Sequence, residues 1–277
     1  MPDAVPAERL PEREALLAEL EVGGYLTDPL LEEAMLSVPR HLFVPDDLRD
    51  VAYEDRPLPI GFGQTVSAPH MVAMMTSALQ VRPGDKVLEV GAGVGYHAAI
   101  VKRIVGPKGR VISVEYLPEL VELARRNLKK AKIDVEVHEG DGFEGHPDEA
   151  PYDAVYVTCA IPQIPDALAQ QLKEGGHFVA PLGITRCQLV AGHKKDGVLQ
   201  LDDLGPCLFV NAQGRLGVHL DIGTPVEPLE DDEGLEDDES EEPAFDNTGV
   251  DDDLDDFEDE DFDDDDDDEG GMTTTAP

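Results

Sequence analysis

Apolar residues recur along this chain with two different periods. Residues 86–90, 110–115, 134–138, 153–158 and 176–181 are short apolar runs of the kind that predicts strands in a sheet interior. Residues 96–105, 118–130 and 165–172 instead space their apolar side chains helically, with Pro118 suited to a first turn. Strand and helix alternate at short intervals, which predicts an α/β fold with a doubly wound, largely parallel sheet. Two more strands are expected at 186–193 and 205–211. The polar turn Lys194-Lys195-Asp196-Gly197 would make them an antiparallel hairpin closing one sheet edge.

The N-terminal part follows another pattern. Leu16, Leu17, Leu20 and Val22 share a helical face ended by Gly23-Gly24, and Thr27-Asp28-Pro29 starts a helix running to about Ser37, with Leu30, Leu31, Ala34 and Met35 inward. Residues 40–63 are dense in Pro and Gly yet carry Phe43, Val44, Tyr53, Leu58, Ile60 and Phe62, so this loop-rich stretch is expected to lie against the body. Met71, Val72, Met75 and Leu79 predict a helix over 68–79. The expected organisation is an N-terminal helical extension at 1–80, an α/β domain at 81–226 and an acidic tail at 227–277.

Charge sets the last boundary. The formal net charge is -40, and residues 227–277 contribute 28 Asp and Glu with no Lys or Arg. Such a segment cannot bury enough apolar surface to offset its ordering entropy, so it is expected to be disordered. Residues 1–226 keep a net charge of -12 with nine lysines in all, a balance that predicts salt adaptation and argues against nucleic-acid binding. No run of 18 apolar residues exists, and the N-terminus lacks a basic region followed by an apolar one. The expectation is a cytoplasmic chain without membrane partners. Cys159, Cys187 and Cys207 have no CxxC spacing, and the six aspartates at 263–268 cannot be laid on an EF-hand loop, so no metal site is expected.

The chemistry concentrates after the first expected strand, at Glu89-Val90-Gly91-Ala92-Gly93-Val94-Gly95. Gly91 permits a tight turn and Gly93 lets a ligand approach the backbone. A dinucleotide loop would be G-x-G-x-x-G, but position 96 is Tyr. G-x-G-x-G with an acid two residues before it is the S-adenosylmethionine form of the loop. Glu115, at the end of the second strand, is placed to accept both ribose hydroxyl protons. Gly140-Asp141-Gly142 follows the third strand, where the carboxylate can take the adenine amino group.

A second set of motifs lies upstream: Val38-Pro39-Arg40-His41-Leu42-Phe43-Val44-Pro45, Tyr53-Glu54-Asp55-Arg56-Pro57-Leu58-Pro59-Ile60 and Gly61-Phe62-Gly63-Gln64-Thr65-Val66-Ser67-Ala68-Pro69-His70. With Pro151-Tyr152-Asp153 they make the chain, from about residue 20 to 211, strongly resemble the protein-L-isoaspartate O-methyltransferase family. The Gly-Gln-Thr-x-Ser segment is more specific to that family than the glycine loop. The resemblance implies a Rossmann-like methyltransferase sheet with an N-terminal helical extension, S-adenosylmethionine as cofactor, and isoaspartyl-containing proteins and peptides as substrates, acted on by a monomer. It implies Ser67 as the active-site serine, and Thr65, Val66 and His70 at the cofactor or substrate. Glu89, Gly91, Glu115, Asp141 and Gly142 are cofactor residues by both routes of argument, and Gly93 and Gly95 by the glycine loop.

Competing roles exist for these residues. Ser67 stands near a helix start, where serine is a common N-cap, while His70 and His97, taken alone, are typical packing histidines. Val157-Thr158-Cys159-Ala160-Ile161-Pro162 departs from the family pattern at Cys159 and Ile161, and Asn211-Ala212 replaces Pro-Leu where the family often closes over substrate. Two other functions fit the chain: a related methyltransferase acting on an aspartyl residue of a dedicated peptide or on a small molecule, and a non-catalytic cofactor-binding platform. The intact Gln64-Thr65-x-Ser67 weighs against the second.

Overall fold

A computed structural model describes residues 7–184 and 186–214, so the acidic tail lies outside the described residues. The architecture is a seven-stranded sheet flanked by helices, preceded by a helical extension and a small hairpin. In chain order the elements are α1 (Leu10–Val22), α2 (Pro29–Ser37), 3-10 turns at Arg40–Leu42 and Asp46–Val51, β1 (Leu58–Gly61), β2 (Gln64–Val66) and α3 (Pro69–Leu79). They continue with β3 (Lys86–Val90), α4 (Tyr96–Val105), β4 (Arg110–Glu115), α5 (Pro118–Ala131), β5 (Glu136–Glu139) and β6 (Tyr152–Val157). Last come α6 (Asp166–Gln171), β7 (Leu172–Gly183), β8 (Cys187–Lys195) and β9 (Val198–Cys207).

The large sheet has the order β5-β4-β3-β6-β7-β8-β9, parallel from β5 to β7 and antiparallel beyond. The chain leaves β3 toward β4 and β5, then returns to the other side of β3 as β6. That reversal opens a crevice at the carboxyl ends of β3 and β6, where ligands of open α/β sheets bind.

Alternation along the strands divides the core between the two faces of the sheet. Val87, Val111, Ala154 and Tyr156 pack with the helices of the extension and with α4 and α5. Leu88, Ile112, Val114 and Val155 pack with Phe143, Tyr152, Leu168 and Phe178 on the other face. Helix α4 is buried at eight of its ten residues because it lies inside this packing, whereas α5 buries only the stripe Leu120, Val121, Ala124, Asn127 and Leu128.

Residues 40–63 do lie against the body, with Phe43, Leu58 and Ile60 buried. The stretch contains a hairpin that its prolines and glycines concealed. It also contains Arg40, fully buried, whose Nε donates to the Ala52 carbonyl at 2.9 Å and whose guanidinium lies 4.8 Å from the Tyr96 ring centre.

The edge hairpin corrects the sequence reading. Its second strand is Val198–Cys207, not 205–211, and the acids Asp202 and Asp203 within it are tolerated because β9 is an exposed edge strand. The chain then leaves the sheet. Val210 accepts from Ala160 N at 2.8 Å and Ala212 N donates to the Ala160 carbonyl at 2.9 Å, which brings residues 210–213 to the crevice. Smaller shifts affect β5, which starts at Glu136, and Leu172, expected to end a helix but found to begin β7.

Candidate active site

The crevice is a cleft lined from both sides of the β3–β6 divide, the place where open α/β sheets bind small molecules. Its first wall is the turn from β3 into α4. Gly91, Gly93 and Gly95 have φ of +96°, +53° and +84°, conformations that side-chain-bearing residues rarely adopt. At Gly91 space forbids a side chain as well, since a Cβ would strike the Thr158 hydroxyl. That hydroxyl donates to the Gly91 carbonyl at 2.5 Å and so fixes the loop to the end of β6.

Two buried carboxylates support this wall. Glu115, at the end of β4, accepts from Gly93 N at 2.9 Å through one oxygen and from Leu117 N at 3.0 Å through the other, which fixes its orientation at the cleft. Glu89 is fully buried and accepts from the Ser113 hydroxyl and from Tyr156 Oη at 2.8 Å. Burial pushes its carboxyl up to about 7, against the opposing effect of those two donors and with a further upward push from the Glu115 charge.

The second wall is the β1–β2 hairpin and the segment after it, with Gln64, Thr65, Val66 and Ser67 on the cleft. Ser67 does not cap α3: Ala68 holds the N-cap position, and the side chain that serves the first turn is Asp55, whose Oδ1 accepts from His70 N at 2.8 Å. The floor and rim come from Gly142 and Phe143, from Thr158 and Cys159, and from residues 210–213. Burial, then the Glu115 charge, raises the Cys159 thiol to about 12, which keeps it protonated and unreactive at neutral pH.

Of the expected site residues, the fold brings Thr65, Val66, Ser67, Glu89, Gly91, Gly93, Glu115 and Gly142 to this one cleft. Gly95, Asp141 and His70 are not among its lining residues. Gly95 is the N-cap of α4, packed so closely on Leu128 that a Cβ would lie 3.1 Å from that side chain. Asp141 accepts from Phe143 N at 3.0 Å and so shapes the turn that presents Gly142 and Phe143. His70 pairs through Nδ1 with Asp55 at 2.9 Å and packs on Tyr25.

The cleft also recruits residues that no motif announced. His97 lines it while packing on Tyr156. Thr76 donates its hydroxyl proton to the Val72 carbonyl at 2.7 Å, so His97 Nε2, 2.9 Å from Thr76 Oγ1, must be the protonated nitrogen of a neutral ring. Burial agrees, holding the imidazole down at about 3. Asn211 stood out in the sequence as a departure from pattern in a region that by resemblance closes over substrate; its place on the cleft follows from where β9 ends.

The family model for protein-L-isoaspartate(D-aspartate) O-methyltransferase (PCMT) matches residues 11–217. The chain belongs to that family. It is 53% identical over 209 residues to the protein-L-isoaspartate O-methyltransferase of Methanopyrus kandleri, covering 74% of this chain and 92% of that protein. It is 50% identical to the protein of the same name from Hyperthermus butylicus, over 74% of this chain and 90% of that one. A solved structure named protein-L-isoaspartate O-methyltransferase superposes with a TM-score of 0.68 at 34% identity, covering 74% of this chain and 67% of the other. The beta-aspartate methyltransferase (PCMT) from Plasmodium falciparum in complex with S-adenosyl-L-homocysteine superposes with a TM-score of 0.65 at 26% identity, over 73% and 98% of the two chains. As a member of this family the chain is an S-adenosylmethionine-dependent methyltransferase of isoaspartyl residues, the entry to protein repair.

The residues present fit that cofactor. Gly91 and Gly93 leave backbone bare along the cleft, and Gly91 has no room for a Cβ. Glu115 is an oriented acceptor at the end of the adjacent strand, and Glu89 supplies a second carboxyl beneath the loop.

Proposed function

We propose that Ser67 orients the isoaspartyl carboxylate while the glycine loop, Glu115 and Glu89 hold the methyl donor, and that the reaction rate comes mostly from this positioning. S-adenosylmethionine, when bound, supplies an electrophilic methyl group. The substrate carboxylate, with a pKa of about 4, is already anionic at neutral pH, so no side chain has to remove a proton. Ser67 can donate its hydroxyl hydrogen to one carboxylate oxygen, which leaves the other free to attack. Alignment of reacting groups can then supply much of the rate. The resulting methyl ester is open to attack by the neighbouring backbone nitrogen, which loses its proton and expels methanol to close a succinimide, and hydrolysis by water reopens that ring partly as normal aspartate.

One observation carries the role of Ser67. The serine shares a cleft with Gly91, Gly93 and Glu115, and the capping position that could have claimed its hydroxyl belongs to Ala68. Ser67→Ala is expected to lower kcat/KM on an isoaspartyl peptide by about ten- to a hundredfold, the scale of one hydrogen bond to a charged group, with cofactor affinity in calorimetry unchanged. Turnover and affinity falling together, or neither falling, would remove Ser67 from the reaction. The aspartyl twin of the peptide should remain unmethylated by wild-type and variant alike.

Thr65 and Val66 are inferred to contact the bound ligands from the same strand. His70 is read as holding that strand's exit through Asp55, and Asp141 as shaping the adenine end of the site. We further infer a cytoplasmic monomer in three parts, 1–80, 81–226 and 227–277, whose acidic surface and tail maintain solubility at high salt. The net charge of -12 over residues 1–226 supports the solubility role, and separately it offers nucleic acid no basic footprint. Among the described residues no helix is long and apolar enough to cross a membrane.

A further inference from the structure

Residues Phe62 and Gly63 join β1 to β2 as a two-residue turn, with Gly61 paired to Gln64. Both central residues have positive φ, +55° at Phe62 and +67° at Gly63, which is the signature of a type I′ turn. The second position has the expected glycine. The first favours Asn, Asp or Gly, and a bulky aromatic residue there is a backbone outlier. Phe62 gains little from the fold in return, because its side chain remains 54% exposed.

An exposed apolar residue by itself is ordinary, and other described residues, Val22 and Leu208 among them, are more exposed. Phe62 differs in its place. Phe62 is not itself a lining residue, but Ile60, two residues before it, and Gln64 through Ser67, just after it, line the cleft, so the tip of this hairpin adjoins the edge of the site. A residue that opposes its own turn, buries little of itself and sits on the rim of a site for polypeptide substrates fits a contact made outside the fold.

We propose that Phe62 is a specificity-determining residue that packs against an apolar side chain adjacent to the isoaspartyl residue of the substrate polypeptide. The proposal rests on the cleft being the methylation site and adds what the enzyme selects beyond the isoaspartyl group. Aromatic side chains suit such a contact, since they present a large rigid face with few torsions to freeze. The contact holds the substrate and leaves the reacting atoms alone, so it belongs in KM and not in kcat.

Isoaspartyl hexapeptides with Leu or Gly immediately before, and Leu or Gly immediately after, the isoaspartyl residue provide the test. Wild-type enzyme should prefer leucine on at least one side, with KM lower by about tenfold, the scale of one apolar contact. Phe62→Asn suits the turn better, so its melting temperature should stay the same or rise. The same variant should raise KM for the leucine peptide to the glycine value, with kcat and cofactor affinity unchanged. Phe62→Leu should retain part of the preference. A leucine preference that survives in Phe62→Asn would overturn the proposal, as would a parallel loss of kcat, cofactor affinity and melting temperature, which would make Phe62 a support of the hairpin. Failure of wild-type enzyme to methylate any of the peptides would instead overturn the reading of the cleft itself, and this proposal with it.

Discussion

The glycine-loop wall of the cleft is one unbroken strand, turn and helix, buried and hydrogen-bonded to its neighbours, whereas the facing wall is a hairpin of a four-residue and a three-residue strand with an exposed tip. On the first wall both oxygens of Glu115 are already held by backbone amides, and Thr158 ties the loop to β6. On the second, Gly61 and Gly63 have open space where a side chain would go. The difference matches the two ligands. A cofactor of constant shape suits a rigid site braced by hydrogen bonds, while damaged polypeptides of many sequences suit a rim with room around it.

The contrast breaks most sharply at Gly91. Gly91→Ala would place a Cβ against the Thr158 hydroxyl in a backbone conformation already unfavourable to alanine. Overpacking and backbone strain together should cost about 3 kcal/mol or more of stability. Cofactor binding should fall below detection in calorimetry, because the loop would have to move. Retained affinity with normal thermal unfolding would mean that the glycine-loop wall is as yielding as the hairpin.

The two walls also differed in how far the sequence disclosed them. Gly91, Gly93 and Glu115 were legible because strand, glycine turn, helix, strand and acid form a local grammar, complete within 30 residues of chain. Thr65, Val66 and Ser67 were reached only through family resemblance, since no periodicity marks a three-residue strand. Residues 210–213 were likewise flagged only through the resemblance, at Asn211-Ala212, because their position depends on where β9 ends, and β9 was expected at 205–211 and not at Val198–Cys207. The buried state of Arg13 and Arg40 was invisible. Composition gives an arginine no sign of burial, and here the Leu36 carbonyl takes Arg13 and the Ala52 carbonyl takes Arg40 from distant parts of the chain.

Glu89 sharpens the comparison through pH. Its folded carboxyl lies at about 7, above its ordinary value of 4.5, so its contribution to stability is fully present below that value and lost as pH rises through 7. Relative to wild type, Glu89→Gln should therefore gain stability between those pH values, by at most about 3 kcal/mol, measured as the difference between two denaturant titrations across pH. Ionised Glu89 is also the form a cationic ligand prefers. Affinity for S-adenosylmethionine should thus rise from pH 6 to pH 8 with net proton release, detectable by calorimetry in buffers of different ionisation enthalpy. Glu89→Gln should flatten that dependence. A wild-type affinity independent of pH would separate this carboxyl from cofactor binding.

The smallest expected effect lies on the hairpin and completes the contrast. Gly63 has φ of +67°, like the loop glycines, but a Cβ there would meet nothing within 4 Å. Gly63→Ala should therefore incur only the backbone penalty, about 1 kcal/mol, visible as a modest drop in melting temperature. Cofactor affinity should stay at the wild-type value, because the strain remains in the turn and Gln64 through Ser67 keep their places on the cleft. An affinity loss comparable to that of Gly91→Ala would show that the hairpin and the glycine loop move as one body. The tolerance argued for the substrate rim would then have to be sought elsewhere along the cleft, first at residues 210–213.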